Sequence, residues 1–425
     1  MPPPVFIVLE PFNHIFFVIE EADRRGFDVV VFHTLARPDS ALPTDPWAKV
    51  TTSHQLTSWS DTDANMKSVI DVCAGRDVVG VYAAAEPTLL LEARIREEYG
   101  LKGHTAAEVR NFLNKKWVRS RLRENGLTGL SFVDETDFDA MENWPEGKSF
   151  FFKPVNGGGS ASVKRCTSYA DLQNALSNWQ AFEDVHFGPL REYLKGGAGV
   201  FLEEAAEGEL LSVEGITVDG DYHPFTLASR AVLKRDIAVE MGLTVPYEHP
   251  LKERIFEKVR QFHAAVGYRH GISHVEIIVT DAGEIELVEL NIRFMGWDSL
   301  RAVNIAFDVR MEEILVDMAL GRMPEIAAFR KPRQVSALHY FLAPSGAEVF
   351  HELSIASSEL AFEKSLKSPG EALKTTDNQM DHIGYFIVTA PTHDDVMKKV
   401  LQIRRDTTFN GAPLGEDNNN VIICR

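Results

Sequence analysis

The sequence predicts a mixed fold, α/β at its N-terminus and α+β beyond it, on three observations. Short apolar runs alternate with helical segments over roughly the first hundred residues. An aromatic run, Phe150-Phe151-Phe152, delivers Lys153-Pro154 into a glycine loop. A third stretch, His274 to Arg293, alternates apolar and polar residues on both sides of Asp281-Ala282-Gly283, as a β-hairpin does.

Composition narrows the function classes. A chain of 425 residues allows about three domains. Hydrophobic content of 44% and charged content of 25% are ordinary for a globular protein. The formal charge of −18 argues against nucleic-acid binding, which needs a basic footprint. An anionic ligand must therefore be held by local lysines, arginines and backbone amides. Three cysteines (Cys73, Cys166, Cys424) have no metal-like spacing, so a reduced, cytoplasmic setting is expected. No basic residue precedes Arg24 and Glu10-Pro11 breaks the first apolar run, so no signal peptide is expected. No run of 18 apolar residues exists, so no membrane span is expected either.

In order, Val5 to Leu9 and Val29 to His33 read as buried strands, with a helical segment between them ending near Gly26. Asp77 to Tyr82 reads as another strand and Pro87 to Tyr99 as its helix, giving a small parallel α/β domain. Glu86 sits at that strand-to-helix passage, where open α/β sheets gather ligands. Two readings stay open: contact with a substrate amine, or a first-turn acid favoured by the helix dipole. Thr105 with Glu108 forms a capping box. The basic segment Asn114 to Gly126 follows, either a solvated helix face or a source of a second cation near the loop.

After Lys153-Pro154, the residues Gly157-Gly158-Gly159-Ser160 lack Cβ atoms at three positions. Backbone N–H groups there can close around phosphate oxygens, with the lysine adding a point charge; a plain surface turn is the bland alternative. The loop is not a Walker A motif. Gly147-Lys148-Ser149 supplies its ending, but Glu142 stands at the required first glycine. No G-x-G-x-x-G follows a strand either. From Val200 to Gly220, two strand-like runs flank an acidic, loop-like middle whose backbone could pair with an adenine edge.

The hairpin carries the sharpest signal. Strand alternation puts Val275, Ile277 and Val279 on one face with Val288, Leu290 and Ile292. Glu276 shares the other face with Glu289, Asn291 and Arg293, and a turn at Ala282-Gly283 sets Glu276 opposite Glu289. Opposed carboxylates about 5 Å apart destabilise a sheet unless a cation joins them. Two carboxylates and an amide oxygen suit Mg²⁺, which takes its remaining ligands from water and substrate phosphates. Beyond it, Met311 to Met318 reads as a helix and Pro324 to Pro332 as a boundary. Strands are expected at Ser336 to Leu342 and Gly384 to Thr389, with a helix from His393 to Arg404.

The lysine–glycine loop and the downstream E…E-x-N-x-R hairpin together resemble the ATP-grasp superfamily. More closely they are similar to its L-amino-acid ligase branch, the bacilysin synthetase-type carboxylate–amine ligases. Asn114-Lys115 with Arg119, Leu122 and Gly126 is similar to the branch's D-K-x-x-x-R-x-x-L-x-x-x-G helix. Lys153-Pro154 through Gly159-Ser160 matches K-P-x-x-G-x-G-S. Glu203, Glu204 and Gly208 with Ser212-Val213-Glu214-Gly215 match its hinge, and Arg293-Phe294-Met295-Gly296-Trp297 matches R-x-x-G-W.

The resemblance implies an N-terminal pre-ATP-grasp domain over 1–105. An ATP-grasp domain would follow over 106–330, with a nucleotide lobe near 115–205 and a metal lobe near 206–330. A small C-terminal α+β domain would occupy 331–425. It implies ATP bound by Lys115, Lys153, Gly157, Gly158, Gly159, Ser160, Glu203, Glu204, Ala206 and Glu209. Glu276, Glu289 and Asn291 would hold Mg²⁺, two ions being expected and Mn²⁺ a substitute. Lys153 and Arg293 would be catalytic, with Glu86, Leu243, Arg293 and Trp297 facing small-molecule amino acid or carboxylate substrates. The implied reaction joins L-amino acids through an acyl phosphate. The alternatives are a ligase using a non-amino-acid carboxylate and a non-catalytic ATP-binding regulator.

Three departures stand out, the first being that the usual N-P-R is here Asn291-Ile292-Arg293. Leu210 occupies the place of a ribose-binding glutamate, with Glu209 as its substitute, and Leu243 replaces a histidine three positions before the pocket proline, Pro246.

Overall fold

The computed structural model describes residues 2–11, 14–34, 45–158, 162–180, 199–234, 236–296, 298–373, 381–415 and 421–423. The N-terminal strands β1 (Val5–Leu9), β2 (Asp28–His33), β3 (Val50–Gln55) and β4 (Val78–Ala83) form one parallel sheet in the order β3-β2-β1-β4. Helices α1 (Ile15–Arg24), α2 (Thr62–Val72) and α3 (Glu86–Tyr99) connect and cover it. Every residue of β1 is buried, as expected of a strand covered on both faces. The sequence reading overlooked β3, and the reason is chemical: its VTTSHQ is largely polar because it is an edge strand.

Next come α4 (Ala106–Phe112) and α5 (Lys115–Glu124). The expected capping box starts α4: Thr105 Oγ1 accepts from the Glu108 N–H at 3.3 Å, and Glu108 accepts from the Thr105 N–H at 2.9 Å. Asn114 caps α5 by accepting from the Trp117 N–H at 2.9 Å. A small antiparallel sheet then forms from β5 (Phe132–Asp134), β6 (Phe150–Pro154), β7 (Lys164–Cys166) and β8 (Val200–Glu204), ordered β5-β8-β6-β7. Phe150 and Phe152 turn inward from β6 to meet α6 (Tyr169–Gln180), so the lysine at the end of the strand is held by a packed aromatic base.

The remaining architecture is one large sheet. Its strands are β9 (Glu209–Val218), β10 (Asp221–Leu233), β11 (Asp236–Val245), β12 (Gly271–Val279), β13 (Ile285–Asn291) and β14 (Val335–Leu342). After β15 (Leu353–Ser354), β16 (Leu360–Ser365) and β17 (His382–Ala390) complete the order β13-β12-β9-β10-β11-β14-β17-β16. A further strip follows, in which β18 (Thr408–Phe409) pairs with β15 on one side and β19 (Ala412–Pro413) on the other; β20 (Val421–Ile423) pairs with β10. One face packs on α7 (Lys252–Val266) through Leu211, Val213, Val259, Phe262, Val275 and Ile277. The other face meets the N-terminal domain with α8 (Ser299–Phe307) and α9 (Met311–Ala319), through Ile216, Leu243, Val245, Leu300 and Phe16. Each such side chain, fully buried, contributes about 1.5–3 kcal/mol.

The boundary expected at 330 falls in the connection between α9 and β14, yet strand pairing runs straight across it. Residues Gly242 to Val245 of β11 pair with Ser336 to His339 of β14, and β14 pairs in turn with β17. The last ninety-odd residues therefore extend the central sheet, with α10 (His393–Asp406) packed on that extension.

The β12–β13 hairpin needs a correction. Glu276 does lie opposite Glu289, but a different turn and a bulge bring them there. Thr280 closes the turn, donating its N–H to the Glu284 carbonyl at 2.9 Å and accepting from the Gly283 N–H at 2.8 Å. Register then slips by one residue between Glu276 and Ile277, which face Glu289 and Leu287. Val288 is the extra residue. It is consequently not core-facing as strict alternation requires; Leu287 and Leu290 are the core residues, while Val288 and Glu289 both look into a cleft.

Candidate active site

The cleft lies between the small sheet and the central sheet and encloses about 470 Å³. Its floor is the central-sheet face that alternates Leu210, Ser212 and Glu214 along β9. Leu210 pairs with Ile278, Ser212 with Glu276, and Glu214 with His274. Part of the wall is apolar, at Val163, Leu210, Val232, Ile237, Ile278 and Val288, and a charged belt adjoins it. Such a division suits a base over the apolar end and phosphates over the belt.

Lys115, Lys153, Gly157, Gly158, Ala206, Glu276, Glu289, Asn291 and Arg293 all line this cleft. Lys115 starts α5, donates to the Gly157 carbonyl at 2.6 Å and sits 3.0 Å from Glu289 Oε1. Lys153 ends β6, and its Nζ donates to Glu203 Oε2 at 2.5 Å. Gly158 runs so close to Glu86 that a Cβ would stand 2.8 Å from its carboxylate carbon, so a side chain there cannot fit without displacing Glu86. Gly159, Ser160 and Trp297 lie outside the described residues.

Several expected site residues are placed elsewhere. Glu203 is buried, bridging Lys153 and Arg119 instead of facing the cleft. Burial alone would push its carboxyl up; the guanidinium of Arg119 and the ammonium of Lys153 outweigh that and hold it below the usual range. Glu204 bonds Lys148 Nζ and Ser131 Oγ, each at 2.7 Å. Glu209 faces away from Leu210, accepting from Tyr247 Oη at 2.6 Å and pairing with His249 at 3.2 Å. Alternation along β9 gives the cleft to Leu210, so Glu209 is not placed as a substitute ribose ligand. Leu243 lies directly opposite Arg230 but is itself buried in the core shared with the N-terminal strands and helices, and does not line the cleft.

Glu86 opens α3 and is the counter-ion of Arg293, whose Nε donates to it at 2.7 Å. Its carboxyl would rise with burial, but the Arg293 charge keeps it low. The pair joins the carboxyl end of the N-terminal sheet to the end of the metal-type hairpin. That is a contact neither of the two sequence readings of Glu86 included.

The belt holds residues that sequence reasoning missed: His274, Glu214, Arg230 and Glu240. His274 Nδ1 is 2.5 Å from Glu214 Oε1, and Nε2 is 3.1 Å from Glu276 Oε1. Burial would lower its pKa, yet the two carboxylates raise it to about 9, so the ring is an imidazolium at neutral pH. Arg230 Nη2 meets Glu240 Oε2 at 2.5 Å, and burial lifts the Glu240 carboxyl despite that partner. Both signals were present in the sequence. His274 is two residues from Glu276 and so shares its face, and Arg230 is a lone charge inside the apolar run TLASRAVL.

The donor set fits a hard divalent cation. Glu276 and Glu289 are directly opposed, Asn291 lies opposite His274, and a cation, the Lys115 ammonium, already rests against Glu289. Among the described residues no three His, Cys, Asp or Glu side chains close around a point by themselves. Two carboxylates with an amide oxygen suit Mg²⁺, which is held by one or two carboxylates plus phosphate and water.

This is the ATP-grasp fold, and residues 147–300 match the family described as ATP-grasp domain. The chain superposes on an L-amino acid ligase from Bacillus licheniformis with a TM-score of 0.79 at 19% identity, covering 96% of this chain and 99% of that one. It is similar to alanine–anticapsin ligase of Bacillus subtilis (strain 168), 22% identical over 275 residues, which are 59% of this chain and 56% of the relative. It is also similar to an L-arginine-specific L-amino acid ligase of Bacillus subtilis, 20% identical over 253 residues, covering 58% and 59%. The chain thus spans a little over half the length of the curated relatives it matches. Among the described residues, no helix is long and apolar enough to cross a membrane.

Proposed function

We propose that this protein is an ATP-dependent carboxylate–amine ligase that forms an amide, in the first instance a dipeptide bond between L-amino acids. The observation that carries the reading is the opposed Glu276–Glu289 pair with Asn291 on a cleft floor flanked by Lys115, Lys153 and Arg293. In the first step a donor carboxylate oxygen attacks the γ-phosphorus of ATP, the bond to the β,γ-bridging oxygen breaks, and an acyl phosphate and ADP form. In the second, an amine nitrogen bonds to the acyl carbon, the carbon–oxygen bond to phosphate breaks, phosphate leaves with that electron pair, and the nitrogen loses a proton.

Such chemistry rests on positioning and charge neutralisation. Lys115 and Lys153 would neutralise phosphate oxygens, and Gly157 and Gly158 would bring backbone against them. The Ala205–Gly208 connection would pair with the adenine edge, and the apolar part of the wall would cover its face. Glu276, Glu289 and Asn291 would hold Mg²⁺, which would supply positive charge to neutralise the negative charge developing in phosphoryl transfer. Arg293, steadied by Glu86, would face the acyl phosphate and then the tetrahedral oxyanion. The ligase names of the relatives support the same chemistry.

The test is ADP and phosphate release by the full chain with ATP, Mg²⁺ and pairs of L-amino acids, with products identified by mass. Stoichiometric ADP, phosphate and dipeptide support the reading. ATP binding with no amino-acid-dependent turnover in any pair would leave a nucleotide-binding protein and refute it.

A further inference from the structure

Arg230 lies on the cleft wall and is 5% exposed. Its Nη2 is occupied by Glu240 and stands 3.7 Å from Glu276 Oε1, whereas its Nη1 is buried with no hydrogen-bond partner. The other cations of this wall are committed. Lys115 holds Glu289 and the Gly157 carbonyl, Lys153 holds Glu203, and Arg293 holds Glu86 and the Phe294 carbonyl. Among the described cations of the cleft, only Arg230 has a buried donor nitrogen with nothing bonded to it. A guanidinium with one fork tied back and the other unfilled is arranged for an anionic oxygen.

The ligase reading, on which this inference rests, presents two such oxygens. The donor's carboxylate is consumed in the phosphoryl step and must sit by the metal-type hairpin and Arg293. An acceptor amino acid instead keeps its own carboxylate throughout, and needs a second counter-ion a short distance from the first. Glu86, Glu240, Glu276 and Glu289 would otherwise repel it from a cleft in a chain of net charge −18. Arg230 rises from β10, two strands from Glu276 across β9, and its guanidinium reaches to 3.7 Å from Glu276 Oε1, so an oxygen bound at Nη1 would lie beside the hairpin.

We propose that Arg230 Nη1 anchors the free carboxylate of the acceptor, so that the acceptor is an α-amino acid and not a simple amine. A phosphate of the nucleotide offers the same chemistry, and the experiment separates the two. The full chain is assayed with a donor, ATP and Mg²⁺ against three acceptors: the amino acid that supports turnover, its primary amide, and hydroxylamine, which traps the acyl phosphate without a carboxylate. Wild type should prefer the acid to its amide by on the order of 100-fold or more in kcat/KM, as expected when a buried polar group is left unfilled by the poorer substrate. Arg230→Gln should bring the acid-to-amide ratio near one and lower peptide formation relative to hydroxamate by a similar factor. Arg230→Lys should restore part of the ratio.

Equal use of acid and amide by wild type overturns the proposal. So does an Arg230→Gln variant whose affinity for a non-hydrolysable ATP analogue collapses, which would make Arg230 a phosphate ligand. A uniform loss over all three acceptors, with a lowered Tm, would make it a purely structural member of the belt and overturn it too. If wild type forms no hydroxamate with any donor, the ligase reading itself fails and takes this assignment with it.

Discussion

Replacing Glu203 by glutamine removes the counter-charge of two buried cations at once. Its carboxylate lies between Arg119 and Lys153, and all three side chains are no more than 10% exposed. Breaking a buried ion pair by deleting one partner costs about 3–5 kcal/mol, because the remaining charge stays desolvated. Here two charges are stranded, so the upper part of that range applies. The folded-to-unfolded ratio should fall by a factor on the order of 10³ or more, read as a lowered midpoint in a urea titration followed by circular dichroism.

The pH dependence has a definite sign. The folded carboxyl is held below its unfolded value, so its contribution is present above the unfolded carboxylate range and disappears as pH falls through the folded one. Glu203→Gln should flatten that acid limb. A variant with a wild-type midpoint but a weakened affinity for an ATP analogue would refute this reasoning and return Glu203 to the nucleotide.

Glu289→Ala should abolish most Mg²⁺-dependent ADP formation while leaving the metal-free melting temperature unraised. Lys115, 3.0 Å away, already relieves the repulsion that removing Glu289 would otherwise relieve. Thr105→Ala should cost about 1 kcal/mol by removing the α4 cap, measured in the same urea titration. Glu108, which completes that cap and pairs with Arg269, is lowered to about 2 in the face of burial that would raise it. Its stabilisation is present above the unfolded carboxylate range and is lost as pH falls toward about 2, so Glu108→Gln should blunt the acid-induced loss of stability in that window. Gly208→Ala would put a Cβ 2.2 Å from the Val279 carbonyl, so the hinge must move; weaker binding of an ATP analogue by equilibrium dialysis is the expected result.

What the sequence made legible follows from how local each signal is. The capping box and the apolar run of β1 are fixed by neighbours within four residues, and both form where expected. The hairpin residues were legible because alternation is local too, although the assumed turn was wrong and the bulge at Val288 compensated for it. Charge partners across the fold were not legible. Glu203 meets Lys153 fifty residues away, and Glu86 meets Arg293 from another domain, so their carboxylates read as ligand groups when the protein itself satisfies them. Glu209 failed for a different reason: one step along a strand reverses the face, and only the pairing of β9 shows which neighbour wins the cleft.

The bulge makes this hairpin unusually forgiving of one edit. Shortening a strand by a residue ordinarily inverts every side chain beyond the cut. Losing Val288 would instead join Leu287 directly to Glu289, two residues that already face neighbouring partners, Ile277 and Glu276. Every downstream residue, Asn291 and Arg293 included, would keep its face. The one thing removed besides an apolar patch of wall is the carbonyl that accepts from Arg119 Nη2 at 2.8 Å, the stitch between α5 and the hairpin. A single-codon deletion can therefore break that one hydrogen bond, with Lys115 still held to Glu289, while leaving the facing of the site residues intact.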